Sequence, residues 1–494
     1  MRYDVVVIGT GIGGSAAAAL LARAGLSVLA LEKNPRVGGS CSYYEKRGFH
    51  VDYGTHMFSR GPKGPLGQVE RRLGVAPSRR IRFVRTPDIA EVRGLGVRLT
   101  VPAAAWRMPR FCLDAVRALR IPPREIPGLA RLFGDLARMS DAELRAWDHR
   151  TVDEFLLGYT ENPRLFALLG FLFGLYFILP FWEVSAGEAL WCFRKMAMDN
   201  HLSYPIGGSV AIPRAYCAEA ERLGARIEVR RGTARIEPAS APGGLARVFT
   251  DDGREYHARA VVSTTSLKDL VGRLVGPAAF PAPYAARVQK LKGSYVAVQC
   301  KIALPRRRER AGAVVGSVSR DPALDPWALE LDDFRRMFRD VEEGRVPKVI
   351  PIYCPIPTNF DPALAPQGAQ LLTACAVAPT TDVTWEDDEK RWIDAMLVAM
   401  DELVPGYRDE AIFVDTMGVR ALQSWIGKLH GPAVSTGQTP SQVGGRRPRV
   451  RTPVRRLYVA GDAAGGRGVG TELAAQSAME CADAILADVA AGAI

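Results

Sequence analysis

The sequence predicts an α/β protein in which a parallel sheet with helices on both sides is interrupted by a second, α+β unit. Three observations predict it. The chain opens on a strand, a glycine turn, a helix, a second strand and an acid. It closes on another strand, glycine loop and helix. Between those ends, 494 residues exceed what a single compact core holds.

Asp4–Ile8 (DVVVI) is apolar after its first residue, as a buried parallel strand is. Gly9-Thr10-Gly11-Ile12-Gly13-Gly14 follows at once, then an alanine-rich helix over Ser15–Ala24 and a strand over Ser27–Leu31, with Glu32 and Lys33 at its end. The order is that of a dinucleotide-binding βαβ unit. Gly9 permits the tight turn, Gly11 leaves room for a pyrophosphate against the backbone, and Gly14 lets the helix pack on the sheet. The helix N-terminus offers free N–H groups and positive potential to the phosphates. Glu32 is placed to accept from ribose hydroxyls and disfavours the 2′-phosphate of NADP.

A second glycine pair, Gly38-Gly39-Ser40, comes soon after Glu32, where NAD binding does not need one. At the far end, Arg456–Ala460 leads into Gly461-Asp462, the loop Gly465–Thr471 and a helix over Leu473–Leu486. Together these resemble the two FAD motifs of two-dinucleotide-binding-domain flavoproteins. More exactly, the chain resembles the phytoene-desaturase-like branch of the flavin amine oxidase superfamily, which includes carotenoid desaturases, carotenoid isomerases and retinol saturase. Phe49–Gly54 resembles that branch's F-x-x-D-x-G segment, and Tyr204–Gly208, followed by a helix over Ala211–Leu223, resembles its P-x-G-G segment. Arg226–Ile236 resembles the strand pair whose backbone contacts adenine, near Ala234, and Val261–Thr264 resembles the strand that returns to the FAD domain.

The resemblance implies a Rossmann-like FAD domain with an inserted α+β substrate domain. It implies FAD contacts at Gly9, Gly11, Ile12, Gly13, Gly14, Glu32, Lys33, Gly38, Gly39, Ser40, Ala234, Gly461, Asp462, Val469, Gly470 and Thr471. The helix after Thr471 would face the pyrimidine side of the flavin, where its dipole stabilises the negative charge of the reduced form. Ser40 departs from the branch, which often has Arg there, so that contact must come from another group.

The FAD domain is expected to be discontinuous, over 1–60, 204–270 and 440–494. The inserted domain takes 61–203 and 271–439. Insert 61–203 reads as helical with proline breaks. Insert 271–439 carries strand-like runs at Tyr295–Leu304, Val349–Cys354 and Gln370–Val377, and a helix at Trp392–Leu403. Leu165–Trp182 carries no charge but is interrupted by Gly170, Gly174 and Pro180. A bilayer span needs about 20 apolar residues, so the segment is read as a buried helix walling an apolar cavity.

Net charge is +12, with arginine runs at Arg79–Arg85, Arg306–Arg310 and Arg446–Arg456. They have no interleaved aromatics or binding motif, which excludes nucleic acid as the expected partner. In Ala103–Met139, Trp106, Met108, Phe111 and Leu113 alternate with Arg107, Arg110, Arg117 and Arg120. That pattern suits peripheral contact with a membrane surface, and equally an amphipathic helix packed on its own core. Eight scattered cysteines without a CxxC pair predict reduced thiols in a cytoplasmic protein, no disulfide framework and no metal site.

No spacing supports a catalytic triad. His56, His201 and His430 read as structural, and Lys428 and Lys195 lie in no matching motif, so the sequence assigns no catalytic side chain. The expected function is hydride exchange between flavin N5 and a C–C or C=C bond of a hydrophobic, isoprenoid-like substrate, with the direction open. The alternatives are a flavin amine or amino-acid oxidase, and a non-catalytic prenyl-binding protein of the Rab GDP-dissociation-inhibitor type.

Overall fold

The computed structural model describes residues 2–54, 56, 58–239, 241 and 243–494. Two seven-stranded sheets organise it. The first begins with β1 (Arg2–Ile8), which pairs in parallel with β2 (Val28–Glu32) on one side and Glu255–Ser263 on the other. Arg226–Val229 extends it beyond β2, and Leu457–Val459 adds in parallel beside Val261–Ser263. The antiparallel strands Thr233–Glu237 and Ala246–Thr250 complete the edge. Strands from near both ends of the chain therefore share one sheet, and Val5, Val6 and Val7 are fully buried at its centre.

The helix α1 (Ile12–Arg23) is buried over Ile12–Ala22. It lies between Ala211–Arg222 and the C-terminal helix Gly470–Ala490. Alanine at Ala16–Ala19 makes this possible, since small side chains let three helices approach closely. A Cβ on Gly14 would fall 1.9 Å from the Gly9 carbonyl oxygen, and one on Gly13 2.7 Å from Gly461 Cα. Only glycine fits at either place.

The second sheet runs Phe413–Met417, Val296–Leu304, Gln370–Ala378, Val349–Pro355, Ala313–Ser319, Asp88–Gly94 and Val97–Pro102. Val298, Cys300 and Ile302 face Trp392, Met396 and Met400 of the helix Glu389–Leu403 in the core. Strand periodicity sends Ala297, Gln299 and Lys301 to the opposite face. The expected strands and helix of the second insert are present. The helical reading of 61–203 is corrected at Asp88–Pro102: this stretch is a hairpin, turning at Leu95-Gly96, that joins the second sheet in parallel with Ala313–Ser319. Its alternation of apolar and polar residues is the strand signal that the proline-based reading passed over.

Leu165–Trp182 forms the helix Pro163–Phe177, capped by the Asn162 side chain and ended by Ile178 in the left-handed region. Phe166, Phe173 and Phe177 are buried in the core. Among the described residues no helix is long and apolar enough to cross a membrane.

The helix Ala186–Asp199 is tied to the C-terminal glycine loop by a buried ion pair. Arg447 Nη2 donates to Glu188 Oε1 at 3.1 Å, and the Gly468 N–H donates to the same oxygen at 2.7 Å. Without Arg447 the buried Glu188 carboxylate keeps, among the described residues, only the longer ion pair to Arg467 Nε, at 3.7 Å, and a poorly compensated buried charge costs roughly 3–5 kcal/mol. Arg447→Met is therefore expected to lower the unfolding free energy by about 3 kcal/mol, read by denaturant titration. The double variant Arg447→Met/Glu188→Leu should recover most of that loss.

Candidate active site

A groove of about 320 Å³ runs along the C-terminal ends of β1 and β2. Gly9, Gly11, Ile12, Gly13, Glu32, Lys33, Gly38, Gly39, Ser40, Gly461, Asp462, Gly470 and Thr471 all line it. Gly14 sits behind the turn. Val469 lines the neighbouring cavity instead. Ala234 is exposed at a ladder irregularity beside the groove, which is lined there by Arg231, Gly232 and Thr233.

Local chemistry fixes the groove's shape. Glu32 Oε2 accepts from the Thr10 N–H at 3.0 Å and from Thr10 Oγ1 at 2.7 Å, holding the glycine turn to the end of β2. A Cβ on Gly11 would meet only Gly39 Cα and the Gly38 oxygen, at 3.8 and 3.9 Å, an ordinary contact. The protein's own packing thus leaves Gly11 free to vary, and its side would point into a space suited to a ligand's phosphates. Neither α1 nor the C-terminal helix has a side-chain cap at its N-terminus, so both present unmet N–H donors and positive potential to the groove. Asp462 is held by Lys428 Nζ at 2.6 Å and by the Ser435 N–H and hydroxyl at 3.1 and 2.9 Å. Lys428 is thus a partner of Asp462. Among the described residues lining the groove, Lys33, Arg231, Arg273 and Lys428 are its cations.

An apolar cavity of about 290 Å³ adjoins the groove. Ser40, Ile426, Ala433, Gly470 and Thr471 line both, so they form the shared wall. The helix Pro163–Phe177 and the loop after it supply Phe171, Leu175, Leu179 and Phe181, and the second sheet and its neighbours supply Phe334, Met337 and Ile352. The expectation of a buried helix walling a greasy cavity is met here.

Several polar groups interrupt this lining. Glu472, Ser59 and Tyr176 line it together. His56 and Gln299 also line it, with Lys301 and Thr373 paired beside them on the same sheet face. His56 Nε2, Gln299 Oε1, Lys301 Nζ and Thr373 Oγ1 are all buried without a hydrogen-bond partner among the described residues. Burial lowers the His56 imidazole well below its usual value, helped by the Lys301 charge, so His56 is neutral. Burial likewise lowers the Lys301 ammonium to about 8. Of these groups the sequence singled out only His56, read there as structural. The available signal was Gln299 and Lys301 two apart in an otherwise apolar strand.

Residues 12–486 match the family of flavin containing amine oxidoreductases. The chain belongs to that family. It is similar to the prolycopene isomerase of Arabidopsis thaliana, 25% identical over 99% of this chain and 83% of that protein. It is also similar to the all-trans-retinol 13,14-reductase of Danio rerio, 23% identical over 93% of this chain and 82% of that one. Among solved structures, an oxidoreductase from Methanosarcina mazei superposes with a TM-score of 0.70 at 20% identity, over 97% of this chain and 99% of its own. These similarities agree with the resemblance to the carotenoid desaturase and isomerase branch. The protein is a flavin-dependent oxidoreductase of the amine oxidase superfamily. The groove fits a flavin nucleotide through its uncapped helix ends and the open side of Gly11.

Lys301 gives a stability test of the cavity floor. A lysine whose pKa falls from 10.5 unfolded to about 8 folded is penalised fully below pH 8, and the penalty fades as pH rises to 10.5. It is worth roughly 3 kcal/mol at neutral pH. Lys301→Met is expected to be more stable than the parent at pH 7, with the gap narrowing between about pH 8 and 10.5. Denaturant titrations across that window check it, and a gap independent of pH would contradict the assignment.

Proposed function

We propose that this chain is an FAD-dependent oxidoreductase acting on C–C or C=C bonds of a hydrophobic, isoprenoid-like substrate. The observation that carries the reading is the shared wall. A phosphate-binding groove and an apolar cavity meet at Ser40, Ile426, Ala433, Gly470 and Thr471. A dinucleotide along the groove would bring its redox-active ring to that wall, with Gly9, Gly11, Gly13, Gly38 and Gly39 at the pyrophosphate and Glu32 at the ribose. Asp462 would then serve the ribityl chain, and Gly470 and Thr471 the pyrimidine side. FAD supplies hydride exchange at N5 when bound. Residues 1–60, 204–270 and 440–494 form the FAD-binding unit in this reading, and 61–203 and 271–439 the substrate unit.

The cavity's chemistry favours a hydrocarbon chain over an amine. An apolar chain binds by surface burial, at about 25 cal/mol per Å². Among the described residues lining the cavity Glu472 is the one carboxyl group, and burial raises its pKa toward the neutral form. The Lys301 charge beneath the floor also repels an ammonium. The similarity to proteins named for prolycopene and retinol supports the same substrate class. Anaerobic incubation of the FAD-loaded enzyme, oxidised or reduced, with carotenoids, retinoids and amines tests it. Flavin bleaching or reoxidation with a polyene and none with amines is expected, and the reverse pattern would exclude the reading.

A membrane-facing surface belongs to the same proposal. Trp106 (82% exposed), Met108, Leu113, Ile126 and Phe133 (58%) project from the successive helices Met108–Ala118 and Ile126–Arg138 and the turn before them, which also carry the exposed Arg110, Arg124 and Arg138, each in an ion pair with Asp114, Glu125 or Asp135. Beneath them, Leu119 and Ile121 pack in one cluster with Leu165 and Phe171 of the cavity helix. Exposed aromatics ringed by arginines suit an anionic lipid surface. Cosedimentation with anionic vesicles is expected and weaker association with zwitterionic ones. Trp106→Ser/Phe133→Ser should weaken the association at least about tenfold.

A further inference from the structure

Glu472 stands in the first turn of the C-terminal helix, directly after Gly470 and Thr471 of the shared wall, and is 6% exposed. Ser59 Oγ donates to its Oε1 at 2.8 Å, and the Arg60 backbone N–H donates to the same oxygen at 2.9 Å. Ser59 Oγ is also 3.1 Å from the Tyr176 hydroxyl, on the cavity helix. Glu472, Ser59 and Tyr176 therefore form one continuous chain of hydroxyl and carboxyl groups along the wall of an otherwise greasy space. Such a chain has no use in holding a hydrocarbon. It is the arrangement needed to move a proton to or from one.

We propose that Glu472 is the catalytic acid of this enzyme, giving a proton to a carbon of the bound polyene, with Ser59 and Tyr176 as positioning residues that hold its carboxyl at the cavity wall. The proposal rests on the flavin-and-polyene reading above and adds the direction of reaction. One C=C bond is reduced. Its π electrons form a C–H bond with the Glu472 proton, the adjacent carbon receives a hydride from reduced flavin, and the flavin returns to its oxidised form. Glu472 is left as a carboxylate until a solvent proton restores it after the product has left. A reduced nicotinamide or another two-electron donor restores the flavin.

The surroundings favour an acid at rest. Burial raises the carboxyl above its ordinary range, against the Ser59 and Arg60 hydrogen bonds and the Arg60 charge. Asp199 adds to the rise, and Tyr176 and Cys192, which face Glu472 from their two helices, are themselves held protonated by burial. A carboxyl raised toward its protonated form is suited to donate to a carbon, which accords with addition of hydrogen to a double bond.

The test uses FAD-loaded enzyme and two readouts. Infrared difference spectra of parent and Glu472→Gln at neutral pH should contain a protonated-carboxyl band, shifted in D2O, that the variant lacks. In anaerobic single turnovers, dithionite-reduced enzyme is mixed with retinol and carotenoids and flavin reoxidation is followed. Glu472→Gln should slow it by roughly 100-fold or more with polyene binding by fluorescence quenching unchanged, Glu472→Asp should restore part, and Ser59→Ala should alter the pH profile. Absence of the carboxyl band, or a Gln variant within roughly threefold of the parent, overturns the proposal alone. A parent enzyme that no polyene reoxidises overturns the polyene reading and this proposal with it.

Discussion

The close approach of α1 to the Gly461 turn is the constraint on which the rest of the structure depends. With Gly13 and Gly461 nearly in backbone contact, the glycine turn after β1 and the strand Leu457–Val459 must lie side by side. Both helix N-termini then open on the same groove, and their dipoles add at the place where a ligand's negative charge belongs. Gly461 needs its left-handed φ of +98° to make the turn, and a side chain at Gly13 would wedge the two ends of the chain apart. It would separate the phosphate-binding turn from Asp462 and from Gly470-Thr471. The sheet hydrogen bonds bring the strands together, but this contact sets how near the loops come.

The same contact determines where the cavity can be. The C-terminal helix starts at the groove and its first turn already faces the cavity, so Gly470 and Thr471 serve both spaces and Glu472 serves the second. The second sheet has two unlike faces. One is filled by the helix Glu389–Leu403, while the other is left for the helix Pro163–Phe177 to cover incompletely, which creates the cavity. A long apolar helix broken by glycines suits that position, because Gly170 lets the Phe181 ring lie against the helix backbone, its Cβ position being 2.4 Å from that ring.

The paired ends of the fold were legible in the sequence because glycine turns after apolar strands carry their geometry in a few adjacent residues. Gly9–Gly14, Glu32, Gly38–Gly39 and Gly461–Asp462 could be placed in a groove without coordinates. The hairpin Asp88–Pro102 was hidden by prolines around it, and the strand Ala313–Ser319 by its small residues. The polar groups of the cavity were not legible for a different reason. Glu472, Ser59, Tyr176 and the Gln299–Lys301 strand are far apart in sequence, and each looks ordinary alone. Glu472 in the first turn of a helix reads as a favourable dipole partner, and nothing local reports that it faces a greasy wall. Ala234 illustrates a smaller limit: the strand was correctly placed, but the ladder irregularity there sets the groove against Arg231–Thr233.

Buried polar groups without partners are destabilising, and their distribution in this protein is uneven. His56, Gln299, Lys301 and Thr373 gather on or just behind one side of the cavity, while others, such as Trp392 Nε1 on the helix Glu389–Leu403, are scattered. A sheet that needed only to fold would carry aliphatic residues on both faces. The Glu188–Arg447 pair shows that this chain can neutralise charge deep in its interior when the purpose is to fix a loop. That it leaves Lys301 without such a partner separates the two uses of buried charge. One joins elements of the fold, and the other sets the electrostatic character of the cavity.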